Sequence, residues 1–156
     1  MPTSNSDPAT QDKPPNAVVL GKASSFLQTI STGKHRFQSD EPVNVGGSDA
    51  APTPYDYLVA ALGACTSMTI GWYARKKQIP VEDIKVSLWQ ERIHAKDCED
   101  CLTKDGMIHR IELEIELGGN LTQQQRSLLM EAAARCPVHR TLTSEINIVT
   151  RDKQKT

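Results

Sequence analysis

The stretch Thr53–Lys77, TPYDYLVAALGACTSMTIGWYARKK, determines how the rest of the chain is interpreted. It opens on Thr53, Pro54 and Asp56, a helix start signal, because the hydroxyl and carboxylate can accept free N–H groups and proline has none to satisfy. Three basic residues at positions 75–77 suit the partial negative charge of a helix C-terminus. The stretch therefore predicts one long helix.

Apolar side chains recur in this stretch at helical spacing and predict the face that the helix buries. That face comprises Leu58, Ala61, Leu62, Cys65, Met68, Thr69 and Trp72. Cys65 lies about three turns from the helix start, beyond the first-turn amides, so the helix dipole helps its thiolate little. Burial would raise its pKa, and a reactive Cys65 therefore needs a donor or a positive charge from elsewhere in the fold.

The sequence offers four candidates for that charge, namely Arg36, Arg92, His139 and Arg140. Arg36 is preferred, because it precedes the polar loop that leads into the helix. A solvent-facing strand arginine is the alternative interpretation of Arg36.

A second helix is predicted over Thr122–Cys136, opened by a capping box of Thr122 and Gln125 and closed by Pro137. Cys136 would then lie in the last turn, where the nearby carbonyls disfavour a thiolate. On this interpretation Cys136 is a poorer nucleophile than Cys65 and a better resolving partner.

The remaining chain predicts strands separated by polar loops. Three N-terminal strands are expected over Ala17–Lys22, Phe26–Thr32 and Lys34–Ser39, and three later strands over Ile84–Ala95, Met107–Leu117 and Glu145–Thr150. Residues 1–15 are expected to form a flexible tail and residues 16–156 a single domain. The order of elements favours an α+β fold, a mainly antiparallel sheet packed on two helices.

The composition limits the function classes. A formal net charge of −1 and a pI of about 6.4 argue against nucleic-acid and membrane partners. The N-terminus lacks the charged and apolar regions of a secretory signal, so a cytoplasmic protein is expected, whose four cysteines are more often free, catalytic or metal-bound than structural disulfides. Phosphate-loop and serine-elbow motifs are absent from the sequence, which disfavours nucleotide-dependent and serine-hydrolase chemistry.

Cys98 and Cys101 form a CxxC motif in an acidic loop. A zinc site completed by distant ligands such as His94 or His109, a labile disulfide and two inconsequential exposed thiols all remain open for this pair. The adjacent acidic side chains disfavour thiolates, which argues against attack on peroxides here.

Two segments together resemble one known family. SDEPVNVGGSDAAPTPYDYLVAALGACTSMT at 39–69 and CPVHRTL at 136–142 are similar to the OsmC/Ohr family, the osmotically inducible protein C and organic hydroperoxide resistance proteins. The resemblance extends over roughly residues 17–150. It departs from the characterised members at Tyr55, where they place a glutamate, and the nearest acid is Asp56.

The resemblance implies an intertwined α+β homodimer, with antiparallel sheets wrapped around two central helices and active sites at the subunit interface. It implies a thiol peroxidase that reduces organic hydroperoxides, and often hydrogen peroxide, without a cofactor or metal. Cys65 would become a sulfenic acid, Cys136 would form a disulfide with it, and an external dithiol would reduce that disulfide. Arg36 is the nearest match to the family's activating arginine.

Two rival functions remain from the sequence. The first is a binding protein for a small apolar ligand, in which the helix cysteines are merely buried. The second is a metal or redox module centred on Cys98 and Cys101.

Overall fold

The structure, a computed structural model, describes residues 13–153 of the 156-residue chain. It divides into two compact units, one ending at Asp56 and the other beginning at Tyr57. Most of the predicted tail, residues 1–12, lies outside the described residues, and residues 13–15 form no helix or strand. The single domain expected over 16–156 stays a prediction.

The first unit contains a three-stranded antiparallel sheet with its strands in chain order. Its strands are β1 (Val18–Gly21), β2 (Gln28–Thr32) and β3 (His35–Ser39). In the middle of the sheet, Ile30 lies opposite Val19 on one side and Phe37 on the other. The three predicted N-terminal strands are confirmed, with ends shifted by one or two residues.

The carboxylate of Asp40 organises the loop that follows β3. Asp40 is only 2% exposed and accepts hydrogen bonds from the backbone N–H groups of Glu41, Ser48 and Ala50, at 2.9, 3.1 and 3.1 Å. The Ser48 hydroxyl donates a fourth at 2.6 Å. These bonds, with that of Ser48 the most important, lower the pKa of Asp40 from 3.8 to about 2. The loop contains a short 3-10 helix over Val43–Val45.

The long helix α1 spans Pro54–Lys77, in agreement with the prediction. At its start the Asp56 backbone N–H donates to the Thr53 hydroxyl at 3.1 Å, while the Asp56 carboxylate accepts from the Thr53 N–H and hydroxyl, both at 2.8 Å. The reciprocal bonds satisfy donors that a helix start would otherwise leave free. Asp56 is therefore engaged in capping.

The face of α1 that was predicted to be buried is wrong, because the helix is rotated about its axis so that a different set of side chains points inward. The residues that the structure buries are Leu62, Gly63, Thr66, Ile70 and Ala74, whereas Met68 is 72% and Trp72 55% exposed. Leu62 alone belongs to both sets. Gly63 suits the inward stripe because a neighbouring strand passes close to it, and a Cβ there would lie 2.6 Å from the Leu88 Cδ1 atom.

The second unit continues with a long antiparallel hairpin and a second helix. Strands β4 (Ile84–His94) and β5 (Met107–Leu117) pair along their full lengths, and helix α2 covers Gln123–Ala133. Both strands are confirmed, as is the capping box that opens α2. The core joins α1 and α2 through Ile70, Ala74, Ile79, Leu129 and Ala133, with apolar side chains of β4 and β5 against it.

The predicted last strand, Glu145–Thr150, is wrong. The segment has no regular structure, because no strand of the described residues pairs with it. Its apolar side chains are exposed, Ile146 by 52% and Ile148 by 83%.

Candidate active site

The two cysteines of the predicted site lie together in the second unit. Cys65, in the middle of α1, is half-buried, and Cys136 is fully buried. Their side chains are within hydrogen-bonding contact and both are free thiols. Because α1 and α2 share one core, the chain that leaves α2 carries Cys136 back to α1.

The helix around Cys136 differs from the prediction, with consequences for its chemistry. Helix α2 ends at Ala133, and a separate short helix, α3, covers Pro137–Leu142. Cys136 immediately precedes α3, with φ −53° and ψ 128°, because a proline disfavours helical geometry in the residue before it. Pro137 therefore begins a helix where the sequence predicted that it closes one.

The position of Cys136 reverses the predicted balance between the two thiols. Burial alone would raise the pKa of Cys136, but its contact with the Cys65 thiol, the N–H groups of His139 and Val138 and the nearby Thr66 hydroxyl outweigh burial and lower that pKa. The last-turn carbonyls that were expected to disfavour its thiolate are replaced by N–H groups. Cys136 is the better thiolate of the pair.

The pKa of the Cys65 thiol is raised, first by burial and then by its contact with Cys136. The Val138 N–H and the Thr69 hydroxyl act in the opposite direction and are outweighed. That hydroxyl also donates to the Cys65 carbonyl oxygen at 2.8 Å. Cys65 is therefore the weaker acid of the pair.

Thr66 is a site residue that the sequence analysis did not identify. Its hydroxyl is buried and makes no hydrogen bond of standard geometry among the described residues, yet it lies close enough to the Cys136 sulfur to lower its pKa. Its place directly after Cys65 was the available signal, but the predicted face of α1 turned it away from the core.

A groove of about 570 Å³ opens beside Cys65 on the surface of the second unit. Met68, Trp72 and Tyr73 supply much of its apolar wall, and Lys76 and Arg135 are among its basic residues. The Lys76 ammonium lies 5.0 Å from the Trp72 ring centroid, a cation–π contact. The groove can thus take an apolar molecule and present it to the Cys65 sulfur.

The four cations proposed from the sequence to activate Cys65 lie in different parts of the structure. Arg36 lies on β3 of the first unit, exposed and paired in register with Ser31. Arg92 and Arg140 are exposed, and His139 lines a separate small cavity with Leu62.

Arg135 lines the Cys65 groove and was missed by the sequence analysis. It immediately precedes Cys136 in the chain, which was the available signal.

Cys98 and Cys101 form a disulfide in the turn between β4 and β5, and a disulfide was one of the three possibilities that the sequence left open for this pair. Over residues 13–153, no group of three or more His, Cys, Asp or Glu side chains is arranged to hold a metal ion. In the same described range, no helix is long and apolar enough to cross a membrane.

Comparisons with solved structures establish the fold. The chain is similar to an organic hydroperoxide resistance protein OsmC from Legionella pneumophila, with a TM-score of 0.60 and 20% identity over 81% of this chain and 87% of that one. An OsmC-like protein from Mycoplasma pneumoniae gives a TM-score of 0.64 and 20% identity over 84% and 88%. The organic hydroperoxide resistance protein OhrB of Bacillus subtilis gives 0.56 and 16% over 81% and 88%.

A search among curated proteins finds no significant match. The family model described as OsmC-like protein matches residues 46–151, well over half of the chain. That range contains the whole of α1 and both cysteines of the candidate site. The mixed α+β fold with antiparallel sheets agrees with this match, and the chain belongs to the OsmC-like protein family.

Proposed function

We propose that this protein is a thiol-dependent peroxidase that reduces organic hydroperoxides, and also hydrogen peroxide, through Cys65 and Cys136. The observation that carries the proposal is the contact between a groove-facing thiol and a buried sulfur held by amide donors. The hydroperoxide resistance named for the Legionella and Bacillus proteins supports the same chemistry. No cofactor is invoked.

In the proposed first step, the O–O bond of the hydroperoxide lies against Cys65. The Cys65 proton passes to the Cys136 thiolate, and the Cys65 sulfur attacks the outer oxygen. The S–O bond forms as the O–O bond breaks, leaving a sulfenic acid on Cys65 and an alkoxide. The alkoxide takes the proton from Cys136 and departs as the alcohol.

The second step forms a disulfide. Since its proton has gone to the alkoxide, Cys136 is again a thiolate and attacks the sulfenic sulfur of Cys65. The S–S bond forms as the S–O bond breaks, and the hydroxide that leaves takes a proton from solvent to become water. An external dithiol then reduces the disulfide and is itself oxidised. The contact between the side chains in the reduced protein supports this step, since little movement is needed to join them.

A cation is needed to stabilise the developing alkoxide. Arg36 remains our proposed activating residue. Arg135 is a second candidate because it lines the groove with Cys65. Comparing Arg36→Ala with Arg36→Lys, and Arg135→Ala with Arg135→Lys, separates them, since the true activator loses kcat in the alanine variant and partly regains it in the lysine variant.

We further propose that the protein acts as a cytoplasmic homodimer whose sheets wrap around the central helices, with active sites at the interface. The exposure of Met68 and Trp72 on α1, and of Ile146 and Ile148 near the C-terminus, supports an interface between copies. Light scattering on the eluting protein measures the mass, and a monomer over the working concentration range would contradict this part.

The function is tested by turnover of cumene hydroperoxide with dithiothreitol as the reductant. Wild-type protein should consume peroxide catalytically, Cys65→Ser should be inactive, and Cys136→Ser should oxidise once to a trappable sulfenic acid. Peptide mass spectrometry after one equivalent of peroxide should find Cys65 joined to Cys136.

The same experiment can exclude the proposal. Unchanged turnover in Cys65→Ser would show that Cys65 is not the cysteine that reacts with the peroxide. A wild-type protein that binds cumene alcohol in the groove but forms no disulfide with peroxide would instead be a small-molecule binding protein.

A further inference from the structure

The Cys98–Cys101 disulfide closes a four-residue segment at the tip of the β4–β5 hairpin. Both cysteines are partly exposed, and the residues around them, including Leu102 at 99%, are open to solvent. A molecule approaching from solution therefore reaches this S–S bond without any rearrangement of the chain.

The disulfide does little for the stability of the hairpin. Eleven pairs of residues hold β4 to β5, and at the base of the tip the Ala95 N–H donates to the Gly106 carbonyl oxygen at 2.8 Å. A cross-link stabilises a fold by restricting the unfolded chain, and that effect is smallest for the shortest loops. The position of the bond suits exchange chemistry better than structural cross-linking.

The tip is remote from the Cys65 groove. Leu88 of β4 lies beside Gly63 on α1, and the strand then runs six residues further, to His94, before the tip begins. At about 3.3 Å per residue this separates the two sites by roughly 20 Å along the strand. The tip disulfide cannot exchange directly with the Cys65 sulfur in this conformation.

The tip has a net negative charge. Residues 96–105 include four acidic residues, Asp97, Glu99, Asp100 and Asp105, against the two lysines Lys96 and Lys104, a formal charge of −2. Lys104 is further engaged, since its ammonium donates to the Glu99 carbonyl oxygen at 3.3 Å. An attacking thiolate is itself negative, so the tip repels anionic thiols and favours a donor that carries compensating positive charge.

We propose that Cys98 and Cys101 form a second thiol–disulfide centre, independent of the Cys65 site, that accepts electrons from a dithiol partner with positive charge around its reactive sulfur. One donor thiolate bonds to one of the two cysteines as the Cys98–Cys101 bond breaks, and the released cysteine takes a proton. The second donor thiol attacks the mixed disulfide, becomes the donor's own disulfide and frees the other cysteine. Two electrons and two protons pass from the donor to the pair.

The test measures reduction of the tip by two small thiols of opposite charge, cysteamine and 3-mercaptopropionate. Trypsin cleaves after Lys96 and Lys104, so a single peptide, Asp97–Lys104, reports both cysteines by mass spectrometry after alkylation. Each rate is divided by the rate of the same thiol with an uncharged disulfide, which removes differences in nucleophilicity. At low ionic strength the normalised rate should be roughly tenfold higher for cysteamine, and about 0.5 M salt should abolish the difference.

The matched control brings the formal charge of residues 96–105 from −2 to zero without touching the sulfurs, as Glu99→Gln and Asp100→Asn together. In this variant the two normalised rates should converge. The variant Cys98→Ser with Cys101→Ser should retain wild-type turnover of cumene hydroperoxide with dithiothreitol, because the tip takes no part in that reaction.

Three results would overturn the proposal. Full alkylation of Asp97–Lys104 without any reductant would show that the pair is not a disulfide in the isolated protein. Equal normalised rates for cysteamine and 3-mercaptopropionate in the wild type would show that the tip does not favour a positively charged donor. Loss of peroxide turnover in the double serine variant would make the pair part of the Cys65 reaction and not an independent centre.

Discussion

The side chains of Cys65 and Cys136 lie in contact, and the Val138 N–H at the start of α3 lowers the pKa of both thiols. The buried sulfur is thus the better thiolate, while the half-buried one faces the groove. In the proposed reaction the Cys65 thiol, which would meet the substrate, gives its proton to Cys136. Reactivity of Cys65 is then coupled to the capacity of Cys136 to accept that proton.

Replacing Cys136 by serine should lower the pKa of Cys65. Burial is the first cause of the raised value and would persist, but the contact and the like charge of Cys136, which raise it further, would be lost. The pH midpoint for alkylation of Cys65 by iodoacetamide should therefore move to lower pH than in the wild type, where the Cys65 peptide is followed separately. A midpoint that stays in place or moves to higher pH would contradict the assigned coupling.

The sequence predicted the elements around this site better than their orientation. The caps at Thr53 and Thr122 depend on local patterns, which short-range hydrogen bonds enforce. The rotation of α1 depends on which side chains fit against β4, and at Gly63 a side chain would collide with Leu88. Hydrophobic periodicity favours large apolar residues and so indicated Met68 and Trp72.

Thr66→Val should raise the pKa of Cys136, because valine keeps the shape of the side chain but removes a hydroxyl that lowers that pKa. Thr66→Ser retains the hydroxyl and is the matched control. Since this hydroxyl is buried without another partner, we expect the free energy of unfolding of Thr66→Val to lie within about 1 kcal/mol of wild type. Thiolate absorbance during a pH titration gives the pKa, and identical curves for the two variants would exclude a role for the hydroxyl.

The role of Pro137 could not be read from the local pattern. A proline after a helical stretch marks a helix end as readily as the first residue of the next helix. In the structure α2 has already ended at Ala133, and Pro137 is the first residue of α3. The exposed segment at Glu145–Thr150 is a related case, since alternating apolar residues predict a strand but cannot supply the strand that pairs with it.

Trp72→Ala should weaken the use of bulky hydroperoxides. The indole lines the groove beside Cys65, and its removal takes away apolar contact with a cumyl group. We expect kcat/KM for cumene hydroperoxide to fall about tenfold, mostly through KM, with a smaller change for hydrogen peroxide. Trp89→Ala is the matched control, since Trp89 is 54% exposed against 55% for Trp72 but lies on β4, outside the groove lining. Equal losses in the two variants would show that the groove does not bind the substrate.

Asp40→Asn should destabilise the loop after β3 in a pH-dependent way. The folded pKa of Asp40, about 2, lies below its ordinary value of 3.8, so the carboxylate stabilises the fold fully above about pH 4 and loses that contribution as the pH falls through 2. The amide of asparagine cannot accept all four hydrogen bonds, because its NH₂ group would face donors such as the Ser48 N–H. Thermal unfolding should give a lower Tm for the variant at pH 7 and a shrinking difference from wild type below pH 4. The control is Glu41→Gln, because the Glu41 carboxylate makes no hydrogen bond among residues 13–153, and this variant should follow the wild type at every pH. A difference in Tm between wild type and Asp40→Asn that stays constant with pH would show that the ionised carboxylate is not what stabilises the loop.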